Sequence, residues 1–175
     1  RAFDINDLGN KTVGIIGLGN IGTKVAKLCT NFGSKIIAYD PYVKSKTYNL
    51  VTLNKLCTEA DIISLHVPYT NETKNLISKN ELAKMKKNAC LINTSRGGIV
   101  NELDLKLLLN NQKNFSYGTD VLEGESPYGV KNNMIVKLSK KNKNILITPH
   151  VGGSSFQYME KIFMHAVLKL KQNLS

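Results

Sequence analysis

A short apolar run, Val13-Gly14-Ile15-Ile16, breaks into the glycine-rich turn Gly17-Leu18-Gly19-Asn20-Ile21-Gly22. The turn opens a stretch, Thr23 to Cys29, with apolar residues at helical spacing. A second apolar run, Lys35 to Tyr39, follows and ends at Asp40. Strand, G-x-G-x-x-G, helix, strand and acid in this order constrain the chain more than anything else in it, because each part has a physical job in holding a dinucleotide. Gly17 permits the tight turn off the strand. Gly19 lets a pyrophosphate approach the backbone, and Gly22 lets the helix pack closely on the strand. The helix N-terminus offers free N–H groups and partial positive charge to phosphates. Asp40, eighteen residues after Gly22, can accept hydrogen bonds from ribose hydroxyls and would repel a 2′-phosphate. The pattern therefore predicts NAD rather than NADP.

The rest of the chain repeats the alternation. Strands are expected at 12–16, 35–39, 61–67, 89–93, 115–121 and 144–148. Helices are expected at 21–31, 52–58, from Ser78 to about Lys86, 102–110, and from Ser154/Ser155 to about Lys171. Leu122 to Lys143 is a long loop with room for one helical turn. Ser78 stands three residues before Glu81, the spacing of a capping box, and Asn31-Phe32-Gly33-Ser34 is a helix stop. Several strands are apolar without alternation, which argues for a parallel sheet covered on both faces. The fold class is α/β, a Rossmann-type doubly wound sheet in a single domain over 1–175, a length that suits one core.

Charge needs weighing, because the 24 basic residues against 13 acidic ones could signal nucleic acid. All but Arg1 and Arg96 of the basic residues are Lys, scattered on helix faces and loops, whereas groove readers lean on Arg. The charge is assigned to surface solvation, with no nucleic-acid partner, and Lys137 to Lys143 to a solvated loop. No apolar run reaches the length of a membrane span. The three cysteines, Cys29, Cys57 and Cys90, are odd in number with no metal-ligand spacing. They predict a reducing, cytoplasmic setting and no metal, with Cys29 and Cys90 in the core.

In an open parallel sheet, ligands bind beyond the carboxyl ends of the strands. Val67-Pro68, Thr94-Ser95-Arg96, Asp120 to Glu125 and His150 all fall there. Arg96 is an arginine in a lysine-rich chain, in a glycine turn, where its planar fork could grip a carboxylate and the adjoining carbonyl; pairing with a loop acid is the alternative. His150, between Pro149 and Val151-Gly152-Gly153, could give a proton to a carbonyl oxygen, although a single His is more often structural. Glu125, if it reaches His150, would stabilise the imidazolium and raise the His pKa. Otherwise it is a solvated loop acid. Asp120 could tune the site or cap a turn. His66 is expected to end a strand by hydrogen bonding, and His165 to lie on a helix face.

Taken together, Gly17 to Gly22 with Tyr39-Asp40-Pro41, Leu65-His66-Val67-Pro68 with Thr73, Ile92 to Gly98, Asp120-Val121 with Glu123-Gly124-Glu125, and Thr148 to Gly153 resemble, in order and from end to end, the nucleotide-binding domain of the D-isomer-specific 2-hydroxyacid dehydrogenases. The resemblance implies an oxidoreductase that passes hydride between NAD(H) and a 2-oxo or 2-hydroxy acid. Arg96 would bind the substrate carboxylate and carbonyl, His150 would be the acid/base, and Glu125 its partner. Asn20 and Ile21 would meet the pyrophosphate, and Asp40 the ribose. Val67, Pro68 and Thr73 would line the cofactor cleft, with Pro41 beside the adenine. Thr94, Ser95 and Asp120 would lie toward the nicotinamide, with Gly152 and Gly153 close to the ring. The chain departs from many members in having Glu125-Ser126-Pro127 rather than Glu followed directly by Pro, while its Asp120-Val121-x-Glu123-Gly124-Glu125 form looks like the D-lactate dehydrogenase branch. The family's second, substrate-binding domain is not expected within these residues, and residues 1–8 and the last helix are expected to be connections to it. An isolated domain would bind cofactor and turn over little. A homodimer is implied by the family, and a non-catalytic NAD-sensing, corepressor-like module is the rival function.

Overall fold

The computed structural model describes residues 7–125, 130 and 132–173. Its elements are β1 (Thr12–Ile16), α1 (Asn20–Asn31), β2 (Lys35–Tyr39), β3 (Asn49–Leu50), α2 (Leu53–Glu59), β4 (Ile62–Leu65), α3 (Lys79–Lys84), β5 (Cys90–Asn93), α4 (Glu102–Asn111), β6 (Ser116–Thr119), α5 (Met134–Ser139), β7 (Ile145–Ile147) and α6 (Phe156–Asn173). The strands form one seven-stranded sheet in the order β3-β2-β1-β4-β5-β6-β7, with every pair parallel. The chain winds outward from β1 to β3, then returns to β1's other side and winds outward again. The reversal leaves a crevice above the carboxyl ends of β1 and β4.

Alternation along the strands sorts the core into two layers. Val13, Ile15 and Ala38 pack against Ala26 of α1 on one face. Ile16, Ile37, Ile63, Leu65 and Leu91 pack with α2 to α5 on the other. Gly14 is needed for the second layer, because a Cβ there would sit 2.6 Å from the Leu56 side chain. The α2–α5 face is covered throughout. The α1 face is covered only over β1 and β2, so the expected two-sided cover is partial among the described residues. Cys90 and Ile92 are left half-buried there, and Leu146 on β7 is 69% exposed.

Local signals behave as their chemistry dictates. The Ser78 backbone N–H donates to the Glu81 carboxylate (3.1 Å), closing the capping box at α3. Gly33, at φ 86°, ends α1. Asp61 ties the sheet's lower edge, accepting from the Thr12 N–H and from Lys86 Nζ, each at 2.8 Å. α3 stops at Lys84, two residues short of expectation, and β4, β5, β6 and β7 are each shorter than their apolar runs. Missed entirely was β3, two residues long, too short to carry a periodicity. The cysteine assignment needs correction: Cys57 is the fully buried thiol, pushed up to about 12 by burial, while Cys29 and Cys90 are half-buried. Lys137 lies on α5 rather than in a loop, and Lys140, Lys141 and Lys143 are exposed as expected.

Of the segments read as connections, residues 1–6 lie outside the described residues, as do Ser126 and Pro127. Leu8 packs against the α1-side core. α6 has Phe156, Phe163 and Leu168 exposed, and no described helix is long and apolar enough to cross a membrane.

Candidate functional site

The turn after β1 is built around backbone proximity. Gly17 sits at φ 90°, and a Cβ there would meet the His66 carbonyl at 2.7 Å. A Cβ on Gly22 would lie 1.9 Å from the Gly17 carbonyl oxygen, so α1 can cross the turn only with glycine there. Gly19 differs: its Cβ would meet nothing within 4 Å. Packing therefore does not require glycine at 19, which leaves approach of a ligand to the backbone as the use of its missing side chain. Gly19 caps α1 and accepts the first helical bond from Thr23, so the N–H groups of Asn20, Ile21 and Gly22 have no partner within the helix.

Asp40 joins this turn to the end of β2. One carboxylate oxygen accepts from the Leu18 N–H (2.8 Å), and the other from the Tyr42 N–H (2.9 Å). Each oxygen keeps a lone pair for a hydroxyl. Beside it opens a cavity of about 580 Å³, lined by Gly17, Gly19, Asp40, Pro41, Val67, Pro68 and Thr73 among others. These glycines, the helix N-terminus and the acid fit the pyrophosphate and ribose of a dinucleotide. The Thr73 hydroxyl donates to the Pro68 carbonyl (2.6 Å) and accepts from the Thr70 N–H (2.8 Å), folding the β4 loop into one wall. His66 ends β4 as expected, its N–H on the Ile16 carbonyl and Nε2 2.9 Å from Ser64 Oγ, with burial lowering its pKa.

From Val67 and Pro68 the groove continues through a stretch of about 410 Å³ bordered by Ile21, Thr94, Ser95 and Arg96. Arg96 and Tyr69 line both this stretch and the next, of about 670 Å³, which also holds Glu125 and His150. Arg96 donates to the Ser95 carbonyl (2.7 Å), and no carboxylate among the described residues forms an ion pair with it. The loop-acid alternative is therefore not what the geometry gives. Its turn is braced from below by Asn93, 1% exposed, which accepts from the Ser95 N–H (3.0 Å) and donates to the Arg96 carbonyl (2.9 Å). Ser95 Oγ donates to the Leu65 carbonyl at 2.5 Å.

His150 Nδ1 lies 2.8 Å from Glu125 Oε1. The imidazole is thus fixed by a carboxylate through Nδ1, and Nε2 is the nitrogen not engaged by Glu125. Glu125 is itself held at its second oxygen by the Leu122 N–H (3.2 Å). Further back, Glu102, 4% exposed, accepts from the Glu123 N–H (2.7 Å) and from Asn133 Nδ2 (2.6 Å). Burial outweighs those bonds and raises its pKa. His150 has φ 54°, a left-handed backbone that costs a non-glycine residue of order 1 kcal/mol or more.

Asp120 holds that strained residue from both sides. Its oxygens accept from Thr148 Oγ1, the Val151 N–H (3.0 Å) and the Gly152 N–H (2.8 Å). Burial pushes its pKa up, but these three bonds and the nearby His150 outweigh it and the net shift is down. A carboxylate lowered on folding stabilises the fold above its ordinary pKa, and that stabilisation is lost as pH falls through the folded value. Asp120→Asn is expected to cost about 2 kcal/mol at neutral pH, the deficit shrinking in acid. Urea midpoints of both proteins across pH check this; a pH-independent deficit contradicts it.

Seven cofactor candidates thus line the first stretch and five the second, with Val67 and Pro68 in both, and Arg96, Glu125 and His150 meet in the third. Asn20 and Gly22 lie in α1's first turn. Asp120, Gly152 and Gly153 line none of the three stretches; Asp120 and Gly152 belong to the brace beneath His150, and Gly153 follows it in the chain. The sequence reading missed Tyr69, Tyr42 and Glu72, all groove-lining. Tyr69 and Tyr42 directly follow Pro68 and Pro41, and Glu72 directly precedes Thr73, which is their only signal. It also missed the bracing Asn93 and Glu102, whose polar side chains among apolar positions could have drawn notice.

Comparison with known proteins gives the family and the fold. Residues 1–152 match the family described as D-isomer specific 2-hydroxyacid dehydrogenase, NAD binding domain. Hydroxypyruvate reductase from Thermotoga maritima is 38% identical over 177 residues, covering 99% of this chain and 56% of that protein. D-lactate dehydrogenase from Aquifex aeolicus, solved with NAD and lactic acid, superposes with a TM-score of 0.85 at 33% identity, covering 97% of this chain and 55% of that one. An acyclic imino acid reductase solved with NADPH and D-Arg gives 0.86 at 29% identity, covering 97% and 52%. The chain spans about half the length of these relatives.

Proposed function

The chain belongs to the D-isomer-specific 2-hydroxyacid dehydrogenase family, of which it carries the NAD-binding domain, and from that we propose that it serves an NAD-dependent oxidoreductase acting on a small 2-oxo or 2-hydroxy acid. The observation that carries the reading is one groove running from the glycine turn and Asp40, past Thr94 and Ser95, to Arg96 and the Glu125–His150 pair. Bound NAD(H) supplies or accepts the hydride.

The side chains do the remainder. Arg96, which forms no ion pair with a carboxylate among the described residues, binds the substrate carboxylate and orients the neighbouring carbonyl. His150 faces the same space and transfers a proton at Nε2 to the carbonyl oxygen, or takes it back from the hydroxyl in the reverse direction. Glu125 holds Nδ1 and so sets the ring's orientation and tautomer. Gly152 and Gly153 follow His150 near the nicotinamide end, and Asp120 keeps that loop in place. A non-catalytic NAD-sensing module is not favoured, since a sensor has no use for a proton donor oriented by a carboxylate.

A cytoplasmic setting and a homodimer belong to the same reading. Three free thiols support the first, and exposed apolar residues on α6 support the second. The test is titration of the chain with NADH. Saturable binding is expected, with Asp40→Asn weakening it about tenfold, the worth of one charge-assisted hydrogen bond. Folded protein that ignores NADH overturns the reading.

A further inference from the structure

Solved structures of this fold hold either NAD or NADPH, so the choice between them lies in side chains rather than in the fold. Asp40 is the one acid that the fingerprint assigns to that choice. The cavity beside it contains a second. Glu72 lines the same wall, and its carboxylate accepts the Tyr42 hydroxyl. Tyr42 is in turn anchored through its own N–H to Asp40. Leu18, Asp40, Tyr42 and Glu72 thus form one hydrogen-bonded chain from the phosphate turn to the far side of the cavity mouth. In a protein of net charge +11, the described residues lining this cavity include two carboxylates and no Lys or Arg. The Glu72 hydrogen bond also holds the Tyr42 phenol above its ordinary pKa, so the tyrosine remains the donor.

We propose that Glu72, held over the cavity by Tyr42, is a second determinant of coenzyme choice, acting with Asp40 to exclude a dinucleotide that carries a 2′-phosphate. The inference rests on the NAD reading above. A phosphate entering this cavity would be repelled from two sides. The unphosphorylated ribose needs only hydroxyl acceptors, so Glu72's charge bears on NADPH and not on NADH. Both residues are exposed, so their replacement leaves the core untouched.

The experiment is titration of wild type, Glu72→Gln and Tyr42→Phe with NADH and with NADPH, followed by the fluorescence of the reduced nicotinamide, at low and high salt. Glu72→Gln keeps an acceptor for the tyrosine and removes only charge. It is expected to tighten NADPH about fivefold while NADH changes less than twofold, and the gain should shrink at high salt. Tyr42→Phe keeps the ring and frees the carboxylate, and should shift the preference in the same direction by a smaller factor. An unchanged NADPH-to-NADH ratio in Glu72→Gln, with normal NADH binding, overturns this inference and leaves the NAD reading standing. Equal tightening of both dinucleotides also overturns it, because the residue then acts without regard to the 2′-phosphate. Folded wild type that binds neither dinucleotide overturns both.

Discussion

Gly22→Ala is expected to lower the stability of the domain by about 3 kcal/mol and its melting temperature by about 9 °C, and to abolish NADH binding. The added Cβ would stand 1.9 Å from the Gly17 carbonyl oxygen. The obstacle is backbone, so no rotamer change relieves it. Either α1 lifts off β1, uncovering Val13, Ile15 and Ala26, or the turn shifts and its N–H groups no longer converge. Gly19→Ala is the control. Its Cβ meets nothing within 4 Å, and its backbone, φ −76° and ψ −159°, is open to any residue. That variant should melt with wild type and still bind NADH poorly. Calorimetry and NADH titration of the pair separate the glycine needed for packing from the one needed for the ligand. Equal melting temperatures for Gly22→Ala and wild type would contradict the close-packing argument.

The same pair of glycines shows why the first part of the fold was legible. In the β1–α1–β2 unit every signal is local: an apolar run, a turn only glycine can make, a helix stop, an acid. The bounds of β1 and β2 coincide with their apolar runs. Farther along, the signals become tertiary. β3 exists because Asn49 and Leu50 pair with Ile37 and Ala38, a contact nothing in its own two residues announces. The two-sided cover inferred from apolar strands holds only where α1 lies, because strand composition reports that a face is apolar, not which helix reaches it.

In the site, the sequence supplies candidate residues and their order at the strand ends, while the hydrogen bonds that hold them appear only in the fold. Glu125 in its Gly/Ser/Pro loop is by itself only a candidate acid, and the resemblance to the dehydrogenases alone pairs it with His150; the fold brings the two to 2.8 Å across twenty-five residues. Asp120, expected to tune the site or cap a turn, has its oxygens taken by Thr148, Val151 and Gly152. Of the roles open to Asp120 in the sequence, the capping of a turn is the one these bonds display, at the strained backbone of His150. The bracing set around the turn at Arg96 was equally hidden, because a buried Asn such as Asn93 is chosen by the backbone groups facing it.

His150→Gln should lower the turnover of 2-oxo acid reduction about 10³-fold while leaving NADH affinity within about twofold of wild type. The expectation follows from where the residue stands. His150 lines the stretch with Arg96 and Glu125, not the cavity beside Asp40, so its loss should register in proton transfer and not in coenzyme binding. Glutamine can still accept or donate a hydrogen bond, so what is removed is the ability to carry a proton. Glu125→Gln isolates the other half of the pair. The amide oxygen can still accept from Nδ1, so orientation persists while the negative charge opposite the imidazolium is lost, and an intermediate fall in turnover is expected. Single-turnover NADH oxidation with glyoxylate, pyruvate and hydroxypyruvate, on the longest protein that carries this chain, separates these effects from product release. Should His150→Gln lose NADH affinity and turnover in equal measure, His150 belongs to coenzyme binding, and another group must deliver the proton.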